Sequence, residues 1–160
     1  MVDLALQFNR HSQTKLSICD LNFYIRALMG KKRDYMCLRS PCGVGRCLLA
    51  FGCKGEIYPC EEMSASGDFV CGNLDDRTSL TEMIDTSPVI TSLRRRRVEN
   101  LQSCRICPWR YFCGGGCLNK AYQYFGDIMR EDPFCSFYQV IFEELMWKMD
   151  EDSSLATLSG

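Results

Sequence analysis

The sequence has no excess of charge of either sign, no long apolar run and a single histidine. Its 19 basic residues balance 20 acidic ones, so no overall field attracts nucleic acid or an anionic membrane. No stretch approaches the roughly 18 apolar residues that span a bilayer, and polar residues interrupt the opening segment too early for a secretory signal. His11 lies in a polar stretch and is expected to be exposed and inert. We therefore expect a soluble, cytoplasmic protein that binds neither nucleic acid nor membrane.

Cysteine, in contrast, is abundant, with twelve in a chain of 160 residues. Cytosolic reductants keep thiols reduced, and clustered cysteines in that compartment usually hold metal. A secreted scaffold stapled by disulfides is the competing interpretation, and it requires that a signal peptide has been removed. The chain length and an apolar content of 46% predict one domain with a hydrophobic core.

The residue pattern predicts a small, loop-rich α+β fold with a short hairpin and several helices. Residues 48–51 and 56–58 flank a Gly-Cys-Lys-Gly turn, which is typical of a β-hairpin. Ser79 and Glu82 form a capping box ahead of one short helix, and Ser87 precedes a proline that starts another. Further helices are expected at 20–29, at 118–125 and from about residue 133, the last with an apolar stripe of Tyr138, Ile141, Phe142, Leu145 and Met149.

Four consecutive arginines, residues 94–97, end the second of the short capped helices. Such a run could bind nucleic acid or an acidic partner. On a chain with almost no net charge, we interpret it as a solvated helix end, which the helix dipole favours. The run is therefore assigned no function.

The stretch CRICPWRYFCGGGC spaces four cysteines as C-x2-C-x5-C-x3-C. A C-x2-C pair is a common zinc ligand, but a tetrahedral zinc site usually joins two such pairs and the sequence has one. The remaining intervals suit an iron–sulfur cluster better, because its irons spread the sulfur ligands over a larger body. The triglycine removes side chains where the backbone would crowd a bulky centre. Spacing alone leaves zinc and one or two iron–sulfur clusters open.

The cysteine pattern resembles that of the SPASM domain, the C-terminal extension of radical S-adenosylmethionine peptide and protein maturases. The SPASM signature is C-x9-15-G-x4-C, a gap, C-x2-C-x5-C-x3-C, a gap and a final cysteine. The phrases CGVGR, GEIYPC and CGGGC also look like this family, and the resemblance covers about residues 40–150. All seven positions are filled, by Cys42, Cys60, Cys104, Cys107, Cys113, Cys117 and Cys135.

The resemblance implies two auxiliary [4Fe-4S] clusters. Auxiliary cluster I would be held at the positions of Cys42, Cys60 and Cys117. Cys47, just inside the hairpin, is expected as its fourth ligand, with Cys53 as the competitor, although some family members leave that iron open for substrate. Auxiliary cluster II would be held by Cys104, Cys107, Cys113 and Cys135. The other three cysteines, Cys19, Cys37 and Cys71, are expected to be small buried apolar residues without chemistry.

The sequence differs from the maturases in one respect. It has no C-x3-C-x2-C motif, by which those enzymes bind the cluster that cleaves S-adenosylmethionine. We therefore expect no catalysis by the chain alone, and use of S-adenosylmethionine only through a missing or separate radical barrel. Residues 1–39 are expected to be the end of such a barrel and its bridge, residues 40–150 the SPASM domain, and residues 151–160 a disordered tail.

Two functions remain in competition. By resemblance, the chain is a cluster-binding module that docks a radical S-adenosylmethionine barrel and a peptide substrate, and transfers electrons during oxidative peptide modification. The alternative is a peptide- or protein-binding module in which zinc or a cluster only staples the fold. The ratio of iron, sulfide and zinc in the purified protein separates the two.

Overall fold

A computed structural model describes residues 2–14, 16–30, 35–152 and 155. The chain divides into two compact units, one of residues 1–35 and 136–160 and the other of residues 36–135. Seven α-helices and one three-stranded antiparallel sheet lie in the described residues, which confirms the predicted α+β class. None of the helices in this part of the chain is long and apolar enough to cross a membrane.

The first unit is helical. It contains α1 (Val2–His11), which the sequence pattern did not predict, α2 (Cys19–Leu28) and most of α7 (Cys135–Glu151). Burying a large apolar side chain stabilises a fold by about 1.5–3 kcal/mol. His11 is exposed, as predicted. The buried core residues of this unit are Val2, Leu21, Ile25, Ile141, Leu145 and Leu155.

The C-terminal residues of the first unit are described only in part. Glu151 ends α7, and Leu155 is fully buried in the core of this unit. Arg10 and Asp152 form an ion pair, and Lys148 Nζ lies 2.6 Å from the Asp3 carboxylate. The rest of the tail predicted for 151–160 lies outside the described residues.

The second unit contains the sheet, made of β1 (Ala50–Phe51), β2 (Glu56–Tyr58) and β3 (Gly72–Asn73) in the order β1-β2-β3. The predicted hairpin is confirmed, because β1 and β2 pair antiparallel with Phe51 opposite Ile57. The third strand, which the sequence pattern did not predict, pairs Gly72 with Ile57. A Cβ at Gly72 would lie 2.5 Å from Met83 Sδ, so glycine allows β3 to approach the helix that follows it.

Four helices complete the second unit: α3 (Leu80–Thr86), α4 (Pro88–Arg94), α5 (Arg110–Cys113) and α6 (Leu118–Phe125). The predicted N-caps are confirmed, since Ser79 Oγ accepts from the Glu82 N–H at 3.2 Å and Ser87 Oγ accepts from the Ile90 N–H at 3.4 Å. One core cluster of this unit lies between the sheet and the helices, and its buried residues are Val44, Tyr58, Met63, Phe69, Leu93 and Leu118.

Candidate metal centre

The first group of cysteines lies beside the hairpin and is called here the hairpin-side group. Cys42 precedes β1, Cys60 follows β2, and Cys117 is the N-cap of α6. The pKa of the Cys60 thiol is raised to about 11, first by burial and then by negative charge on Cys37, Cys117 or Cys42. Cys42 and Cys60 pack against the same core cluster. Burial also raises the pKa of Cys42, with a smaller contribution from Cys117.

The second group, called here the knuckle-side group, consists of Cys104, Cys107, Cys113 and Cys135. Cys113 ends α5 and Cys135 begins α7, while the Cys107 N–H donates to the Cys104 carbonyl at 2.9 Å. The pKa of Cys104 is raised to about 11, first by burial and then by negative charge on the other thiols of the group. The pKa values of Cys113 and Cys135 are also raised, first by burial and then by thiols of this same group.

The partition implied by the SPASM resemblance stays a prediction, and the pKa shifts are in keeping with it. After burial, negative charge on Cys117 raises the pKa of Cys42 and of Cys60, although Cys117 lies only four residues after Cys113. Each thiol with a raised pKa in a group is influenced by thiols of its own group. A bound cation offsets the cost of ionising several thiols together, because metal ligands bind as thiolates.

Cys37, which the sequence analysis left without chemistry, is a further candidate for the fourth ligand beside Cys42, Cys60 and Cys117. It lies in the single turn Met36–Leu38, and after burial its negative charge is one of the causes that raise the pKa of the Cys60 thiol. Cys47, the expected fourth ligand, is exposed, and its Sγ lies 3.5 Å from Met36 Sδ. Cys53 is also exposed. The available sequence signal was the position of Cys37, five residues before Cys42.

The remaining cysteines lie outside both groups. Cys19 is exposed, so the expectation that it is a buried apolar residue is wrong. Cys71 is partly buried, and burial raises the pKa of its thiol.

The triglycine of the cysteine run connects Cys113 to Cys117 through a left-handed backbone conformation, which is energetically unfavourable for residues with a side chain. All three glycines have positive φ, at 63°, 79° and 67° for Gly114, Gly115 and Gly116. A Cβ at Gly114 would overlap the backbone of Arg39, and one at Gly116 would overlap the side chain of Asp132. Glycine is therefore required by space as well as by conformation.

Two charged side chains are buried beside this loop. Arg96 is only 4% exposed, so the interpretation of the arginine run as a solvated helix end is wrong for this residue. Asp132 is 1% exposed, and its carboxylate accepts from the Cys117 N–H at 2.6 Å and from the Phe134 N–H at 2.8 Å. The Asp132 carbonyl accepts from the Cys135 N–H at 2.9 Å. Asp132 thus orients one cysteine of each group.

The donor chemistry of the two groups fits iron–sulfur clusters. Each group would supply four cysteines, which is the number that a four-iron cluster binds. No cysteine forms a disulfide, and all twelve lie within the described residues. In this same part of the chain, no three His, Cys, Asp or Glu side chains form a group that could hold a metal ion.

Comparison with known proteins also indicates iron–sulfur cluster binding. Residues 42–108 match the SPASM family, described as an iron–sulfur cluster-binding domain. An uncharacterized protein of Archaeoglobus fulgidus is 32% identical over 142 residues, which are 86% of this chain and 32% of that protein. An AdoMet-dependent heme synthase of Nitratidesulfovibrio vulgaris is 30% identical over 95 residues, or 59% of this chain and 23% of that enzyme.

Among solved structures, native anSMEcpe with bound AdoMet matches 94% of this chain with a TM-score of 0.68. The identity is 17%, so the likeness shows a shared fold. The match covers 39% of that chain. This chain therefore spans at most about two fifths of the length of the proteins that it matches.

Proposed function

We propose that this chain, whose residues 42–108 match the SPASM iron–sulfur cluster-binding domain, holds two four-iron clusters and serves electron transfer and peptide binding in a radical S-adenosylmethionine maturase. The observation that supports the proposal is the pair of hydrogen bonds by which Asp132 holds the backbone N–H groups of Cys117 and Cys135, one cysteine of each group. Cys37, Cys42, Cys60 and Cys117 would hold one cluster, and Cys104, Cys107, Cys113 and Cys135 would hold the other. Cys47 is the alternative to Cys37.

The protein's contribution to electron transfer is to bury and orient the thiolates. When bound, such clusters supply one-electron transfer at a potential set by burial, charge and hydrogen bonds to sulfur. Cys104 and Cys113 are buried, and the Gly115 N–H interacts with the Cys113 sulfur. The burial of these two thiols limits the access of water to one part of the knuckle-side group.

We further propose that the partner is a barrel that cleaves S-adenosylmethionine and that the substrate is a peptide undergoing oxidation. The relatives support an AdoMet-dependent context, since the heme synthase is AdoMet-dependent by name and anSMEcpe binds AdoMet. Neither name identifies the substrate of this chain. We assign residues 1–39 as the end of a barrel and its bridge, and residues 40–150 as the SPASM domain.

The competing proposal is a binding module in which zinc or a cluster only staples the fold. Analysis of iron, acid-labile sulfide and zinc in anaerobically purified protein separates the two. Two four-iron clusters predict about eight irons and about eight sulfides per chain. Zinc without sulfide would contradict the redox proposal and favour the binding module.

A further inference from the structure

We propose that Arg96 is a positioning residue that compensates the negative charge of both clusters at once, an inference that rests on the proposed function. Of the four consecutive arginines, Arg96 is buried, whereas Arg95 and Arg97 are exposed and Arg94 is half-buried. Its burial within an otherwise accessible basic run is the first observation that sets Arg96 apart.

The guanidinium of Arg96 is fixed in place by three backbone carbonyls. Nε donates to Ile128 at 2.6 Å, and Nη2 donates to Gly115 at 3.0 Å and to Arg130 at 2.9 Å. Carbonyl acceptors satisfy the hydrogen-bonding capacity of the group without neutralising its charge. Arginine stays protonated even when buried, so a full positive charge lies at this point.

The position of Arg96 relates it to both cysteine groups. Its acceptor Gly115 lies between Cys113 of the knuckle-side group and Cys117 of the hairpin-side group. A Cβ at Gly115 would lie 3.1 Å from Arg96 Nη1, so the guanidinium packs directly against the loop between the two groups. A single buried cation thus lies beside the loop that joins both groups.

Asp132 also acts on Arg96, with the opposite charge. The carboxylate oxygens of Asp132 accept hydrogen bonds from the backbone N–H groups of Cys117 and Phe134. Arg96 donates to three backbone carbonyls, so both side chains keep their formal charge while bonded to the backbone. Asp132 therefore orients the backbone of Cys117, and Arg96 supplies the positive charge beside the same loop.

Charge compensation is needed because an iron–sulfur cluster and its thiolates together are negative, and buried uncompensated charge is costly. Reduction adds one more electron, so a nearby cation stabilises the reduced form more than the oxidised form. Arginine suits this place better than lysine, because its planar guanidinium reaches three carbonyls and is more weakly hydrated.

The test compares the iron-loaded protein with its Arg96→Met, Arg96→Lys and Arg95→Met variants. Midpoint potentials are measured by redox titration followed by electron paramagnetic resonance, and iron and sulfide are counted in each sample. Arg96→Met is expected to shift both potentials to more negative values. A tenfold fall in the equilibrium constant for one-electron reduction corresponds to about 59 mV. Arg96→Lys, which keeps the charge, and Arg95→Met, at an exposed position, are expected to stay near the wild-type values.

The outcomes separate this inference from the proposed function. Wild-type protein without iron and sulfide overturns both. If the wild-type protein holds both clusters, the Arg96→Met variant tests the inference alone. Unchanged potentials, or a shift in the potential of only one cluster, overturn it. If Arg96→Met binds no iron, the iron and sulfide contents of the variants are compared instead. Iron bound by Arg96→Lys then supports the role of charge, and equal loss of iron in both variants contradicts it.

Discussion

The carboxylate of Asp132 accepts a hydrogen bond of 2.6 Å from the backbone N–H of Cys117, fifteen residues earlier in the chain. The same residue accepts from the Cys135 N–H through its carbonyl. One buried residue thereby fixes the backbone of a hairpin-side cysteine and of a knuckle-side cysteine. Under the proposed function, this link would let a cysteine run that is continuous in sequence serve two sites.

Replacing Asp132 tests that link. Asp132→Ala leaves the Cys117 and Phe134 N–H groups without their acceptor, and an unsatisfied buried donor costs about 1–3 kcal/mol. We expect lower thermal stability and faster loss of iron to a chelator. Asp132→Asn keeps one acceptor oxygen and should lie between Asp132→Ala and the wild type. Wild-type behaviour of Asp132→Ala would show that the hydrogen bonds are dispensable.

The glycine loop makes a second prediction, for which Gly126 at the end of α6 is the matched control. Gly114 and Gly126 have similar φ, at 63° and 70°, but a Cβ at Gly126 would meet no atom within 4 Å, whereas one at Gly114 would overlap Arg39. Gly126→Ala should cost about 1–2 kcal/mol, the ordinary cost of left-handed backbone. Gly114→Ala should cost more and lower the yield of iron-loaded protein. Equal thermal midpoints in the two variants would contradict the steric argument.

The fourth ligand of the hairpin-side group is tested by comparing Cys37→Ala with Cys47→Ala. After burial, negative charge on Cys37 is one of the causes that raise the pKa of Cys60, while Cys47 is exposed beside Met36. We expect Cys37→Ala to make the hairpin-side cluster labile, measured as faster iron release and an altered paramagnetic resonance spectrum, and Cys47→Ala to resemble the wild type. The reverse result would restore the ligand expected from the sequence.

The raised thiol pKa values predict how the metal-free protein responds to pH. Folding raises the pKa of Cys60 and Cys104 from 9.0 to about 11, so the folded state keeps protons that the unfolded state releases. The free energy of unfolding should therefore fall as the pH rises from about 9 to about 11. Alkylation requires the thiolate, so both residues should react more slowly at pH 9 than the exposed Cys53. Mass spectrometry of labelled peptides measures these rates, and equal rates would refute the prediction.

Local signals predicted much of the fold. Helix α6 ends where Gly126 predicts it, and Ser79 and Ser87 cap the helices that their spacing indicated. The hairpin followed from its turn residues in the same way. Each of these features depends on residues within a few positions of one another, which is why the sequence pattern was sufficient.

Features that depend on distant residues were not predictable. Nothing in the local sequence distinguishes one of the four arginines from the others. Arg96 is the buried one because its guanidinium donates to the carbonyls of Gly115, Ile128 and Arg130. The single turn Met36–Leu38, which contains Cys37, carries no turn or capping residues that predict it. The third strand, of two residues, is too short for a periodic signal.

The most direct test of the central claim is the iron and sulfide content of Cys117→Ala beside that of Cys113→Ala. The claim is that these two cysteines, separated only by the triglycine, serve different clusters. Each variant should keep about four irons and about four sulfides per chain. Cys117→Ala should lose the hairpin-side signal and Cys113→Ala the knuckle-side signal in paramagnetic resonance spectra. Loss of both clusters to the same extent in both variants would contradict the partition.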